Sequence, residues 1–235
     1  MQYPEDPRRF AAPGGIPAQR HRAWHVLGGL LVLAPVVLSV GVHNHLVSQR
    51  EAVDAAWAQV ESQYQRRGDL VPALARTIQR YLRHESDTLV GVVRARAEAT
   101  ARLERAAADL AAAQEASARE LRERDGRPPR ADADLERFAR SQERVGLGLQ
   151  RLLAVAEAHP TLRSGDQFLE LQAQLEGTEN RINVARMRFN DAVRAYNAAI
   201  EKLPARLIAT AQGYERRAYF HADAGARIAP PIVLD

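Results

Sequence analysis

The chain has no cysteine, a single lysine (Lys202) and few aromatic residues, 6% of the total. Without cysteine, disulfides and thiolate metal sites are excluded, and the redox compartment is left open. The shortage of aromatic and β-branched residues argues against strands. Ala, Leu, Arg, Glu and Gln, the best helix formers, fill the space instead, and the expectation is an almost wholly helical protein. The near absence of lysine also bears on partners. The formal net charge is +4, and all but one of the 33 basic residues are arginine, with 29 acidic residues interleaved among them. That pattern reads as a solvated, mixed-charge helix surface, so no nucleic-acid partner is expected.

Charge of either sign is missing from one stretch altogether. Between Arg22 and Arg50 there is no Asp, Glu, Lys or Arg, and residues 26–42 read VLGGLLVLAPVVLSVGV. As a helix this run is roughly 25 Å long, and about 36 Å when counted out to Trp24 and Val47, which brackets the apolar thickness of a bilayer. It starts late and lacks an Ala-x-Ala cleavage pattern, so it reads as an uncleaved anchor. Pro35 should kink it, and no GxxxG pair argues for dimerisation. Arg8, Arg9, Arg20 and Arg22 precede the run and only Arg50 closely follows it. The positive-inside rule then favours a cytoplasmic N-terminus and an extracytoplasmic C-terminal domain, which would be periplasmic in a Gram-negative cell.

The remaining organisation follows from periodicity and breakers. Residues 1–22, with Pro4, Pro7, Pro13 and Pro17, read as a disordered tail, residues 23–47 as the anchor, 48–221 as one helical domain and 222–235 as a flexible tail. Leu46, Val53, Trp57, Val60 and Tyr64 share a helix face that Gly68-Asp69 should terminate. A second strip runs from Leu70 toward Arg124 through Leu74, Ile78, Leu103 and Leu110, near-heptad in rhythm as in a coiled coil. At roughly 80 Å it is too long to return beside a helix of about 35 Å. It must break near His84–Gly91, or the bundle must tilt. A third helix is expected over residues 132–158. Ser164-Gly165-Asp166-Gln167 looks like a capping box for a fourth, whose stripe is Phe168, Leu171, Leu175, Thr178, Ile182, Ala185, Phe189, Val193, Tyr196 and Ile200. Pro204 ends it, and residues 207–220 form a shorter amphipathic piece.

The ordered motifs match a known pattern. After the span come Asn44-x-Leu46-Val47, Val53-x-x-Ala56-Trp57, Arg66-Arg67-x-Asp69-Leu70-Val71-Pro72 and Tyr81-x-x-His84-Glu85. The second half adds Arg151 to Pro160 (RLLAVAEAHP), Phe168-Leu169-x-Leu171-Gln172, Thr178-Glu179-Asn180-Arg181-Ile182, Ala185-Arg186-x-x-Phe189-Asn190, Tyr196-Asn197 and Leu203-Pro204. In this the chain resembles the LemA family of bacterial membrane proteins over about residues 24–221. His159, Phe189 and Leu203 depart from the residues usual there and put only fine packing in question. The resemblance implies an all-α fold, a single N-terminal transmembrane helix followed by an elongated antiparallel four-helix bundle. It implies no established enzyme activity. Roles proposed for relatives are membrane scaffolding, envelope-linked regulation and, in one branch, formation of membrane compartments.

A search for chemistry finds little. His84-Glu85-Ser86-Asp87-Thr88 opens like a zinc-protease helix, but Thr88 stands where the second His is needed. No Glu-x-x-His pair serves a di-iron bundle, and no GxSxG elbow or phosphate-binding glycine loop occurs. His43 and His45 flank the span at headgroup level. The best candidate cluster is Glu176, Glu179, Asn180, Arg181, Asn183, Arg186 and Asn190, with Arg66, Arg67 or Asp69 as partners across a helix seam, and Trp57 with Tyr64 is a second candidate. Pairing across that seam would fix bundle register. The expected protein is a non-catalytic scaffold or interaction module without cofactor or metal. Its partners are the lipid bilayer and other membrane or envelope proteins, self-association included. Alternatives are a membrane-remodelling or envelope-stress factor and, less favoured, a metal-dependent enzyme using the Glu/Asn/Arg cluster.

Overall fold

Helix formers dominate the sequence, and in a computed structural model describing residues 18–88, 93–157 and 165–221 every regular element is an α-helix. These are α1 (Ala18–Thr88), α2 (Val93–Arg124), α3 (Asp132–Glu157), α4 (Asp166–Glu201) and the short α5 (Ala205–Ala211). Among the described residues α1 alone is long and apolar enough to cross a membrane. Its apolar run buries almost nothing, with Leu27, Leu31 and Val37 all exposed. Two compact units divide the chain, Met1–Asn44 and His45–Asp235. The second is an antiparallel four-helix bundle.

Paired contacts along the helices give the directions. Moving along α1, Trp57 packs on Phe189, Arg67 bonds Glu179, and the Tyr81 phenol lies against Gly165, so α4 runs antiparallel to α1. Leu110 of α2 sits on Gly148 of α3, and Arg124 bonds the Asp134 carbonyl, which sets α2 antiparallel to α3. Gly148 permits this approach: a Cβ there would lie 3.3 Å from the Leu110 Cα. Asp125 and Gly126, both with positive φ, reverse the chain between α2 and α3, and Pro128 and Pro129 are buried beneath the loop.

Four expectations are corrected. Gly68-Asp69 does not end a helix; α1 runs through it to Thr88, inside the interval flagged for a break. Gly68 is buried under the Gln114 amide, where a Cβ would meet Nε2 at 2.0 Å, so this glycine serves close approach and not a cap. The length mismatch disappears because the first bundle helix includes residues 70–88. The N-cap of α4 is Gly165, with no side-chain cap; its carbonyl accepts from the N–H groups of Phe168 and Leu169, and Ser164 lies outside the described residues. Residues 207–220 are not one helix. The turn after α5 places Gly213 at φ +70°, with Gly213 N–H donating to Thr210 O and Tyr214 N–H to Ala209 O, the paired bonds of a Schellman stop. Residues 214–221 then continue without helix. The start of α1 at Ala18 also places residues 18–22, assigned to the tail, in helix. The tails over residues 1–17 and 222–235, the His159-Pro160 stop and the side chains of His84 and Glu85 lie outside what is described.

The stripes of α3 and α4 are buried where periodicity marks them, with Leu171 half-buried. Leu135, Phe138, Val145, Leu149, Leu152 and Ala156 of α3 are all buried, as are Phe168, Leu175, Ile182, Phe189, Val193, Tyr196 and Ile200 of α4. A mainly aliphatic core joins Val71, Leu74 and Ile78 of α1 to Leu103 and Leu110 of α2, to α3, and to Phe168 and Leu175 of α4. Toward the other end the core becomes aromatic. Trp57 meets Phe138 and Phe189 edge-on at 5.1 and 5.5 Å and stacks on Phe220 at 6.2 Å.

Candidate functional site

An arginine in the interior of a bundle must find acceptors, because an unpaired buried charge is costly. Arg67 is 4% exposed and spends both terminal nitrogens. Nη1 donates to Glu179 Oε1 at 2.9 Å, while Nη2 donates to the Gln142 backbone carbonyl at 3.0 Å and to Gln142 Oε1 at 2.8 Å. The Gln142 amide in turn donates to Ser117 Oγ. One polar node therefore ties α1, α3, α4 and α2 in a single layer, between the aromatic and aliphatic parts of the core. The guanidinium also lies 5.0 Å from the Tyr64 ring centroid. A surface groove of about 320 Å³ opens above the node, lined by Arg67, Gln142, Glu143, Glu179, Asn183 and Arg186 among others.

The other candidates scatter. Arg66 and Asp69 are exposed; Asp69 borders a separate depression with Glu61 and Gln114. Glu176 is exposed and accepts from the Gln172 amide at 3.2 Å. Asn180 is exposed. Arg181 reaches back to Thr178 Oγ1 at 3.4 Å. Trp57 is fully buried in the aromatic cluster. Of the predicted cluster and its seam partners, only Arg67 and Glu179 pair with each other.

Asn190 belongs to a different construction. Its Oδ1 accepts from the Phe220 N–H at 2.8 Å and its Nδ2 donates to the Phe220 carbonyl at 2.9 Å. Asn197, one heptad on, does the same for Arg217: Oδ1 accepts at 2.9 Å and Nδ2 donates at 3.0 Å. Tyr196 Oη donates to the Glu215 carbonyl at 2.9 Å. The two asparagine amides thus act as peptide groups and dock residues 214–221 along α4 as an extended strap. The register is geometric. Seven helical residues rise about 10.5 Å, and three extended residues span about 10 Å. Phe220 closes the aromatic cluster, with the Arg186 guanidinium 4.7 Å from its ring centroid. Sequence reasoning missed Asn197 and the strap. The heptad repeat of Asn beside an apolar stripe was the available signal.

Two groups near the aromatic end have shifted acidity. Burial pushes the Glu61 carboxyl up, offset in part by the Trp57 indole N–H, which finds no partner in full hydrogen-bond geometry, and by Arg124. Burial likewise raises the Tyr196 phenol, against the opposing pull of Arg217 and Arg50. Among the described residues no three His, Asp or Glu side chains converge as metal ligands.

The sequence profile of the LemA family matches residues 56–233. Over 76 residues the chain is 38% identical to the magnetosome protein MamQ of Magnetospirillum gryphiswaldense. It is 37% identical over 75 residues to magnetosome proteins MamQ 1 and MamQ 2 of Paramagnetospirillum magneticum. Each alignment covers 32% of this chain and 28% of the relative, so the match spans less than a third of those proteins.

Proposed function

Since the chain belongs to the LemA family, a membrane-associated group, we propose that it works as a non-catalytic scaffold or interaction module at the bacterial cell membrane, anchored by residues 26–42. Its N-terminus is cytoplasmic and its bundle extracytoplasmic. The observation that carries this reading is the Arg67 node. The buried Arg67 guanidinium is spent on holding four helices in register, so the polar residues left for recognition are those of exposed helix faces, Glu176, Asn180 and Arg181 among them. Partners are other envelope proteins or further copies of the chain. The likeness to magnetosome proteins favours work at a membrane and carries no partner of its own.

The test is crosslinking of the full chain in its native membrane, from a photoreactive residue at position 180 or 181. Reproducible crosslinks to one defined protein, or to a second copy, support the module. A clean monomer that carries a stoichiometric metal and turns over a substrate overturns it. For orientation, a reporter active only outside the cytoplasm, fused after Asp235, should be active; a silent fusion of stable protein reverses the assignment.

A further inference from the structure

The strap that docks on α4 also shapes a small cup. Residues Gln212–Arg217 form one wall, Tyr196 of α4 the floor, and Arg50 of α1 and Arg130 of the α2–α3 loop the rim, enclosing about 100 Å³. That volume is well below the several hundred Å³ typical of small-molecule pockets and suits a group the size of a phosphate.

Its charge is lopsided. Arg50, Arg130, Arg216 and Arg217 line it against a single carboxylate, Glu215. Arg216 is held by Glu201. Arg50 and Arg130 make no ion pair or hydrogen bond among the described residues, and both are exposed. Arg217 is the unusual one. Its side chain is 8% exposed, its Nη1 has no hydrogen-bond partner, and its Nη2 stands 3.9 Å from Asp54 Oδ1, too far for a hydrogen bond. The Arg217 guanidinium thus faces Asp54 as an ion pair and lies 5.9 Å from the Tyr196 ring centroid while its Nη1 keeps an open valence, and the cup it lines carries three further arginines; planar guanidinium groups match phosphate oxygens.

The source of that acceptor follows from the chain itself. Arg50 stands eight residues after Val42, the end of the apolar run. Even fully extended, eight residues reach at most about 28 Å. The rim of the cup is therefore tethered close to headgroup phosphates. The turn and helix that lead into the strap add Leu203 and Leu207, 74% and 69% exposed, apolar side chains suited to a bilayer interface. We propose that the Arg50–Arg130–Arg217 cup binds the phosphodiester of an anionic phospholipid, fixing the bundle against the bilayer that its own helix enters. This rests on the membrane tether, and it stands or falls independently of the scaffold reading.

Native mass spectrometry of the full chain, released from micelles containing equal phosphatidylglycerol and phosphatidylcholine, tests it. Wild type should retain one phosphatidylglycerol in clear preference. Arg50→Ala with Arg130→Ala, at exposed positions outside the core, should keep the helical circular dichroism and lose that retention roughly tenfold or more. Arg217→Ala should abolish it, though this variant removes a buried side chain, so the exposed pair carries the decision. Equal retention of the two lipids, or unchanged retention in the double variant, overturns the proposal. So does displacement of the lipid by millimolar inorganic phosphate, which would assign the cup to a free anion.

Discussion

The two ends of the bundle core solve the same packing problem differently. Beyond the Arg67 node toward Tyr81, the core is mainly aliphatic, with Phe168 its one fully buried ring, and alanines and Gly148 let α2 and α3 approach. On the other side, toward Arg50, large rings fill the space and a fifth layer, the strap, covers them. There the rings of α1, α3 and α4 pack on one another and on Phe220. The strap supplies Phe220, and asparagine amides hold its backbone where a fifth helix would have needed its own apolar stripe. The lesson is that residue size along a helix sets how many layers a bundle needs at each level.

The comparison breaks most visibly at Trp57. Trp57→Ala removes the ring that touches Phe138, Phe189 and Phe220 and should cost about 3–5 kcal/mol of stability, measured by denaturant unfolding of the full chain in detergent. Hydrogen exchange should rise over residues 214–221 before it rises over residues 145–152. Equal acceleration in both would mean that the node does not separate the ends. Asn197→Ala is smaller and more local. It strands the buried Arg217 N–H and C=O, at about 2–3 kcal/mol, and should open the strap to trypsin at Arg216 and Arg217. An unchanged digestion pattern would show that Phe220 alone holds the strap.

Glu61 sharpens the comparison through pH. Burial raises its pKa above the usual 4.5, so the folded state binds its proton more tightly than the unfolded state. The stability it contributes is present below the unfolded pKa and is lost as pH rises through the folded one. Glu61→Gln should therefore raise the melting temperature more at pH 7 than at pH 4. An equal gain at both would assign the effect to packing. The smallest effects concern two glycines of α3. Nothing lies within 4 Å of a Cβ at Gly146, so Gly146→Ala should stabilise by about 0.5–1 kcal/mol. Gly148→Ala meets the Leu110 backbone and should lose that gain or more. Matching melting shifts for the two would mean that α2 yields freely.

Much of this architecture is legible in the residues, for identifiable reasons. The stripes of α3 and α4 are long, regular and unbroken, so periodicity alone locates their buried faces. Gly68 misled because a helix-ending glycine and a glycine making room for Gln114 look alike in sequence; only the neighbouring helix distinguishes them. The strap was hidden because its order comes from partners far along the chain, not from local pattern. Gly213 marks the stop, but nothing nearby says where the chain goes next. In the candidate cluster, Arg67 and Glu179 stood on opposite sides of an expected seam, but which of Arg66, Arg67 and Asp69 would meet which residue was not legible. Gln142, which supplies two of Arg67's acceptors, was not legible either, since a glutamine on a helix face carries no mark of the arginine it will meet.

The strap also sets an order of events during synthesis. Trp57 leaves the ribosome long before Phe220, and at about 5–20 residues per second the interval is on the order of ten to thirty seconds. The apolar anchor is available for insertion throughout that time, while the ring-lined end stays uncovered until the last rung is made. A nascent chain stalled short of residue 220 would thus leave Trp57, Phe138 and Phe189 without the ring that covers them.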